Sequence, residues 1–305
     1  MPALRALARA FPHHRHTLAA PAALGALARH TGAVDDVVDT PSLDHLDAQV
    51  HDADVAVNLH GKGPESTALL AATNPRRLLA FDQEAGPGWQ DDEHEVVRWC
   101  RLLDHFGIPA DPTDLRLRKP DRPVVPEALG AALLHPGAAD AARRWPPQRW
   151  AAVGRSLRQA GLEVVVTGAP EEVDLARAIA RDAGLPARSV LAGRTDLLDL
   201  VATVAAAAFV VSGDTGVAHV ATATDTPSVV LFGPVPPSAW GPPPCSRHVP
   251  LWAGRRGDPH APTVDPGLLR LSVEDVLAAV EGLRRVLSSG SGARPEPVVS
   301  DPWQT

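Results

Sequence analysis

Lysine is nearly missing from this chain. Only Lys62 and Lys119 occur among its 305 residues, while arginine, alanine and proline are plentiful, the bias of a GC-rich genome. A basic position in any site is therefore expected to be arginine, whichever cation the chemistry first used. Cysteine is scarce as well. Cys100 and Cys245 stand far apart, which excludes a disulfide framework and a cysteine-based zinc motif and suits a reducing compartment. No apolar run approaches the roughly 20 residues of a membrane span. A secretory signal needs a basic end followed by an apolar block, whereas Arg5, Arg9 and Arg15 are spread through the first stretch. The expectation is a cytoplasmic protein. There is no long basic run, and the net charge is −7, which argues against nucleic acid as a partner. An anionic small ligand needs only a local site and is not excluded. No internal repeat is visible.

What is present is enough apolar sequence for a real core, 45% of a chain long enough for two α/β domains. Short β-like runs alternate with helix-like segments, the signature of a parallel α/β architecture. The prolines at 120, 123 and 126 read as a linker. The expected organisation is an N-terminal domain over 1–117, a linker over 118–130, a C-terminal domain over 131–287 and a Ser/Gly/Pro-rich disordered tail over 288–305. In the C-terminal domain, strands are expected at 131–134, 164–166, 189–191, 209–211 and 228–232. Helices are expected from Trp150, over 171–181, 197–206 and 216–224, and after a capping-box-like Ser272 and Asp275. This is a doubly wound pattern. In the N-terminal domain, helices are expected at 2–11, after Pro64 and at 94–106, and strands at 17–19, 54–58 and 77–81.

Two segments carry chemistry. From Phe209 to His219 an apolar strand ends in Ser212-Gly213, and Asp214-Thr215-Gly216 then opens a helix. Backbone N–H groups at such a start point outward, and the helix dipole favours an anion. On residue chemistry alone this is either a phosphate site or a capped helix with Asp214 in a turn. The second segment is His135-Pro136-Gly137-Ala138, followed by Arg143-Arg144-Trp145-Pro146. It is again a strand end, a small-residue loop, cations and a helix start. Arg143 is either a phosphate clamp or a solvated arginine beside a structural Trp.

With Val166-Thr167-Gly168, the run from Ala192 to Leu197, Pro227 to Pro234 and Pro237 to Pro242, these segments resemble glycosyltransferase family 9, the heptosyltransferases. The family pattern is a His-Pro-Gly loop, a later Lys/Arg-Arg-Trp-Pro, then Asp-(Ser/Thr)-Gly-x-x-His and Pro-x-x-x-Leu-Phe-Gly-Pro. The resemblance implies an α/β fold of GT-B architecture, two Rossmann-like domains facing a cleft, with the donor held mostly by the C-terminal one. It implies that Asp214, Thr215, Gly216 and His219 form the donor-diphosphate motif, with Gly137 and Ala138 facing the phosphates. Arg143 stands where many relatives carry a phosphate-contacting lysine. Glu171 matches a ribose-holding position, with Glu172 as its rival, and Leu197 falls near the base pocket. Asp196 and Asp199 read as helix-start charges.

The implied reaction is an inverting transfer of a heptose or related sugar from a nucleotide diphosphate, ADP-heptose, to a glycan or glycolipid hydroxyl. No cofactor is expected. No metal is expected either, since His13, His14 and His16 lack a carboxylate or cysteine pattern. The partners implied are the nucleotide sugar and the glycan or glycolipid acceptor, with peripheral contact at the inner membrane surface left open. Asn58, His60 and Lys62 either face the acceptor or belong to a solvent-facing turn. Trp89 and Trp240 read as loop anchors. One departure stands out. The family opens with a strand and a Gly-Asp loop whose carboxylate serves as general base, whereas this sequence begins at the helix Met1-Pro2-Ala3-Leu4. No residue is assigned as the catalytic base, and the N-terminal domain is expected to be incomplete at its start. The alternative reading is a non-catalytic nucleotide-sugar-binding protein or an inactive truncated glycosyltransferase.

Overall fold

Chain contacts divide the molecule into two units, Met1–Leu115 and Arg116–Thr305. The computed structural model describes residues 1–82 and 85–289.

In the first unit, α1 (Pro2–Ala10) starts on a proline, whose missing N–H costs nothing at a first turn. Its buried stripe is Pro2, Ala3 and Ala6, with Leu7 and Phe11 packed alongside against Leu79, Leu103 and Ile108. Next come β1 (Thr17–Ala20), α2 (Gly25–His30), β2 (Asp36–Asp39), β3 (Ala56–Val57), α3 (Glu65–Ala71), β4 (Leu78–Leu79) and α4 (Glu95–His105). His94 caps α4, its ring accepting the Val96 N–H at 3.2 Å. The strands form two separate parallel pairs, β1 with β2 and β3 with β4. The expected strands at 54–58 and 77–81 shrink to two residues each. Trp89 is a loop anchor. Its ring packs edge-on against Phe81, the Arg98 guanidinium lies 4.2 Å over it, and its N–H donates to Asp91 at 3.1 Å.

The second unit holds one five-stranded parallel sheet. In chain order its elements are β5 (Ala132–His135), α5 (Pro147–Gln159), β6 (Val164–Val166), α6 (Val173–Ala183), α7 (Leu197–Ala206), β7 (Phe209–Gly213), α8 (Gly216–Thr224), β8 (Ser228–Phe232), α9 (Pro237–Trp240), β9 (His248–Trp252), α10 (Pro266–Arg270) and α11 (Val273–Ser288). Gly161, at φ +81°, supplies the left-handed residue just after α5. The strand expected at 189–191 is reduced to a single parallel bridge between Val166 and Val190. The helix expected over 171–181 begins later, after a 3-10 turn at Pro170–Glu172.

The strand order is β6-β5-β7-β8-β9. Counting the Val190 bridge, it follows the 3-2-1-4-5-6 winding of dinucleotide-binding sheets. Alternate residues face opposite layers. Ala132, Leu134, Val164, Val166, Val211 and Leu231 pack with Trp150, Val153, Ile179, Val276 and Val280 of α5, α6 and α11. Ala131, Leu133, Val165 and Val210 pack with Val204, Val217 and Ala221 of α7 and α8. Strands covered on both faces need continuous apolar runs, as these have.

The stretch read as a linker lies against α7, the Gly130 N–H donating to Ala206 at 2.9 Å and Arg122 facing Asp196 and Asp199. Just before it, the Leu117 N–H donates to Ala223 of α8 at 2.7 Å. Helix α11 runs through Ser288, one residue into the stretch read as a tail. The rest of that expected tail, 290–305, lies outside the described residues.

Beyond the strands, β9 carries Pro250 at its centre. The Ser228 N–H bonds the Arg247 carbonyl at 2.9 Å, so alternation turns residues 249 and 251 toward β8 and residue 250 toward the sheet's outer edge. Proline is tolerated there because the donor it lacks would have no partner within the sheet.

Candidate functional site

The chain leaves β5 toward β6 and leaves β7 toward β8, so the winding reverses between β5 and β7. Ligands of open α/β sheets bind outside the carboxyl ends of the strands at that point. Here the β5 end is His135 with the Pro136-Gly137-Ala138 loop, and the β7 end is Gly213 with Asp214-Thr215-Gly216. His135 and Ser212 are direct neighbours in the ladder. The Arg143 backbone crosses beside Gly213, whose added Cβ would lie 3.5 Å from the Arg143 carbonyl. Gly137, Ala138, Arg143, Asp214, Thr215 and Gly216 are thus brought to one end of one sheet.

The start of α8 is built as a donor array. Thr215 is its N-cap residue in extended conformation, yet its side chain makes no capping bond. Its buried Oγ1 has no protein partner, and neither has the Oγ of fully buried Ser212. A capping hydroxyl ordinarily satisfies one of the first-turn N–H groups. Here the Ala218 N–H turns back to the Thr215 carbonyl at 3.0 Å, and those of Gly216 and Val217 stay available to a ligand. A Cβ at Gly216 would meet nothing within 4 Å, so the space before them is open.

Charge is arranged around this start. Arg143 sits at the end of a 3-10 turn, Ala141–Arg143. Its Nη2 donates to Asp140 at 2.7 Å, its Nη1 reaches the Asp214 carbonyl at 3.4 Å, and its buried Nε has no partner. Asp214 is only 7% exposed, and burial pushes its carboxyl up to about 6 against the opposing pull of Arg143. The Arg143 bond, with His260 beside it, holds the Asp140 carboxyl below the usual carboxylate range. His135 bonds Thr167 through Nδ1 at 3.0 Å. Burial lowers its basicity, and the Glu172 charge acts the other way.

Glu172, rather than Glu171, is the glutamate at the strand ends. Glu171 is exposed. The Glu172 carboxylate accepts the Ala169 N–H at 2.8 Å and packs so closely on the Gly137 Cα that an added Cβ would overlap it. The signal was in the sequence as a capping spacing, three residues from Ala169. Arg144 staples the loop, donating to the Ala138 carbonyl at 2.8 Å and to Ala139 at 3.0 Å. Trp145 is structural, its N–H bonded to Leu271 at 3.0 Å.

Leu197 is half-buried at the start of α7, where Asp196 accepts the Asp199 N–H at 2.8 Å in a capping box. His219 is exposed one turn into α8, its ring 6.3 Å from that of Trp240, which is 40% exposed.

The candidate residues of the first unit are arranged within that unit. Asn58 is buried, and its amide is spent on Ser66 at 2.9 Å, Thr67 at 3.0 Å and the His60 N–H at 3.0 Å, so it shapes its own loop. His60 and Lys62 are exposed. His14 lies 3.8 Å from Asp54 and His16 lies 3.6 Å from Asp35. Among the described residues no group of three or more His, Cys, Asp or Glu side chains is placed to hold a metal ion. No described helix is long and apolar enough to cross a membrane.

The model of glycosyltransferase family 9 (heptosyltransferase) matches residues 72–258. Lipopolysaccharide heptosyltransferase 3 of Escherichia coli is 32% identical over 165 residues, 52% of this chain and 48% of the relative. Its counterpart in strain K12 is 32% identical over 207 residues, 62% of this chain and 59% of the relative. The chain spans about half the length of these curated relatives. In fold it is similar to E. coli ADP-heptose lps heptosyltransferase II, with a TM-score of 0.67 at 21% identity, covering 95% of this chain and 94% of that one. E. coli heptosyltransferase WaaC with ADP gives 0.67 at 18% identity, over 92% and 94%. The fold class is GT-B, built on two α/β units. With the family match spanning more than half of its length and taking in both switch-point loops, this chain belongs to glycosyltransferase family 9.

Proposed function

We propose that this chain is an inverting glycosyltransferase that moves a heptose or related sugar from ADP-heptose to a hydroxyl of a glycan or glycolipid. The observation that carries the reading is the open, uncapped start of α8 beside Arg143. Fixed N–H donors and a guanidinium converge there on one place, the arrangement that holds a diphosphate and stabilises the charge it gains on leaving. The names of the matched relatives supply heptose as the sugar and lipopolysaccharide as the acceptor class. In this reading Gly137 and Ala138 approach the phosphates, Thr215 and Gly216 present the helix start, and Asp214 shapes the turn. Glu172, the rival to Glu171 for the ribose-holding position, takes that role. Leu197 borders the base, and His219 completes the donor-diphosphate motif.

Calorimetric titration with ADP tests the site. Arg143→Ala removes a charge-assisted contact worth about 1.5–3 kcal/mol. Affinity should fall roughly ten- to a hundredfold. Equal affinity in wild type and variant would remove Arg143 from the site. A transfer assay with ADP-heptose and a lipopolysaccharide-core acceptor separates the two roles. ADP binding without transfer would leave the chain a nucleotide-sugar-binding protein.

A further inference from the structure

We propose that Asp140 is the positioning residue that aims Arg143 at the diphosphate, and that it does so by tying together the loops that follow β5, β7 and β9. The proposal rests on the donor-site reading of Arg143 above.

Asp140 occupies the N-cap position of the Ala141–Arg143 turn but makes no capping bond. Aspartate at such a position ordinarily accepts an N–H from its own turn. Its oxygens are used elsewhere. Oδ2 accepts Arg143 Nη2 at 2.7 Å, and Oδ1 faces His260 Nδ1 at 3.4 Å. Arg143 in turn reaches the Asp214 carbonyl at the start of α8. His260 belongs to the loop between β9 and α10. That loop is fastened beside the same turn, because the Asp265 N–H donates to the Ala142 carbonyl at 3.0 Å. One carboxylate therefore sits where three carboxyl-end loops meet.

An arginine side chain has many rotamers, and binding an anion with a free one requires ordering it at that moment. The Asp140 carboxylate and the Asp214 backbone carbonyl hold the two terminal nitrogens of the guanidinium before any ligand arrives. A carboxylate near an anion site also repels the anion. Here the cation bonded to it at 2.7 Å offsets that repulsion, so orientation is the larger effect. The two effects have opposite signs in one measurement.

The experiment is a double-mutant cycle on the full 305-residue chain, with ADP as the probe and thermal unfolding recorded for each variant. Asp140→Asn is isosteric and should weaken ADP about three- to tenfold. Asp140→Glu, which keeps the charge, should recover part of that loss. Adding Asp140→Asn to Arg143→Ala should cost nothing further, because the aim of an absent side chain is irrelevant. Tighter ADP binding by Asp140→Asn, or a loss that adds in full to that of Arg143→Ala, overturns the proposal. A loss in Arg143→Ala with none in Asp140→Asn overturns it while sparing the donor site. Equal ADP affinity in wild type and Arg143→Ala removes both.

Discussion

Two buried titratable residues of the second unit act on stability in opposite directions. Asp214 binds its proton more tightly folded than unfolded, its carboxyl being pushed up to about 6. Its ionisation therefore costs folded stability as pH rises through roughly 4 to 6, by of order 2–3 kcal/mol. His248 is buried against Ser228, with Nδ1 2.9 Å from Oγ, and burial pushes it down to about 4. The unfolded chain then takes up the proton first, and stability falls as pH drops from about 6.5 toward 4, by a similar amount. In wild type the two slopes offset each other between pH 4 and 6. Asp214→Asn should raise the melting temperature at pH 7.5, with the gain shrinking as pH falls through that window. The variant should also expose the acid sensitivity that His248 confers. Melting curves from pH 4 to 8 check this, and an Asp214→Asn gain that did not change with pH would contradict the burial argument. A residue kept at a cost to stability is the pattern expected of a functional site.

At the scale of elements, legibility followed the physics of each signal. Helices α7 and α8 and strand β8 have the bounds read from the sequence, because Asp196, Gly216 and Pro227 punctuate long apolar runs. Strand β9 escaped because Pro250 argues against a strand until the edge position is known. Strand β2 escaped because only Val37 and Val38 stand between its two aspartates, and α2 because it starts on glycine. Both switch-point loops were legible as motifs. The choice of Glu172 over Glu171 was not, since it depends on a 3-10 turn that rotates one carboxylate inward and leaves the other in solvent. Nor was the bond between Asp140 and His260, 120 residues apart. Gly137 gives an element-level expectation. With the Glu172 carboxylate against its Cα, Gly137→Ala must displace either that side chain or the loop. Overpacking of this kind costs about 1–3 kcal/mol. The melting temperature should drop in Gly137→Ala and return in part when Glu172→Ala is added. An unchanged melting temperature in the single variant would show that the loop yields freely.

Across the whole molecule the two units differ in how their sheets are completed. The second has five parallel strands with apolar layers on both faces, whereas the first has two separate parallel pairs, and β1 alternates exposed and half-buried residues. Parallel strands are ordinarily covered on both faces, and two-stranded pieces are marginal on their own. The first unit should therefore open at lower free energy. Hydrogen exchange read by mass spectrometry should show β1–β4 amides exchanging well before those of β5, β7 and β8, with ADP protecting only the second unit. Equal protection in both units would refute this. The outer edge of the five-stranded sheet bears on a different property. A strand edge is a template for a foreign strand, and a full row of donors and acceptors invites aggregation. Pro250 removes a donor from the middle of that row and leaves a pyrrolidine ring in its place. An incoming chain meets an interrupted ladder, so the proline that hid β9 from the sequence reading also guards the sheet against edge-to-edge polymerisation at high protein concentration.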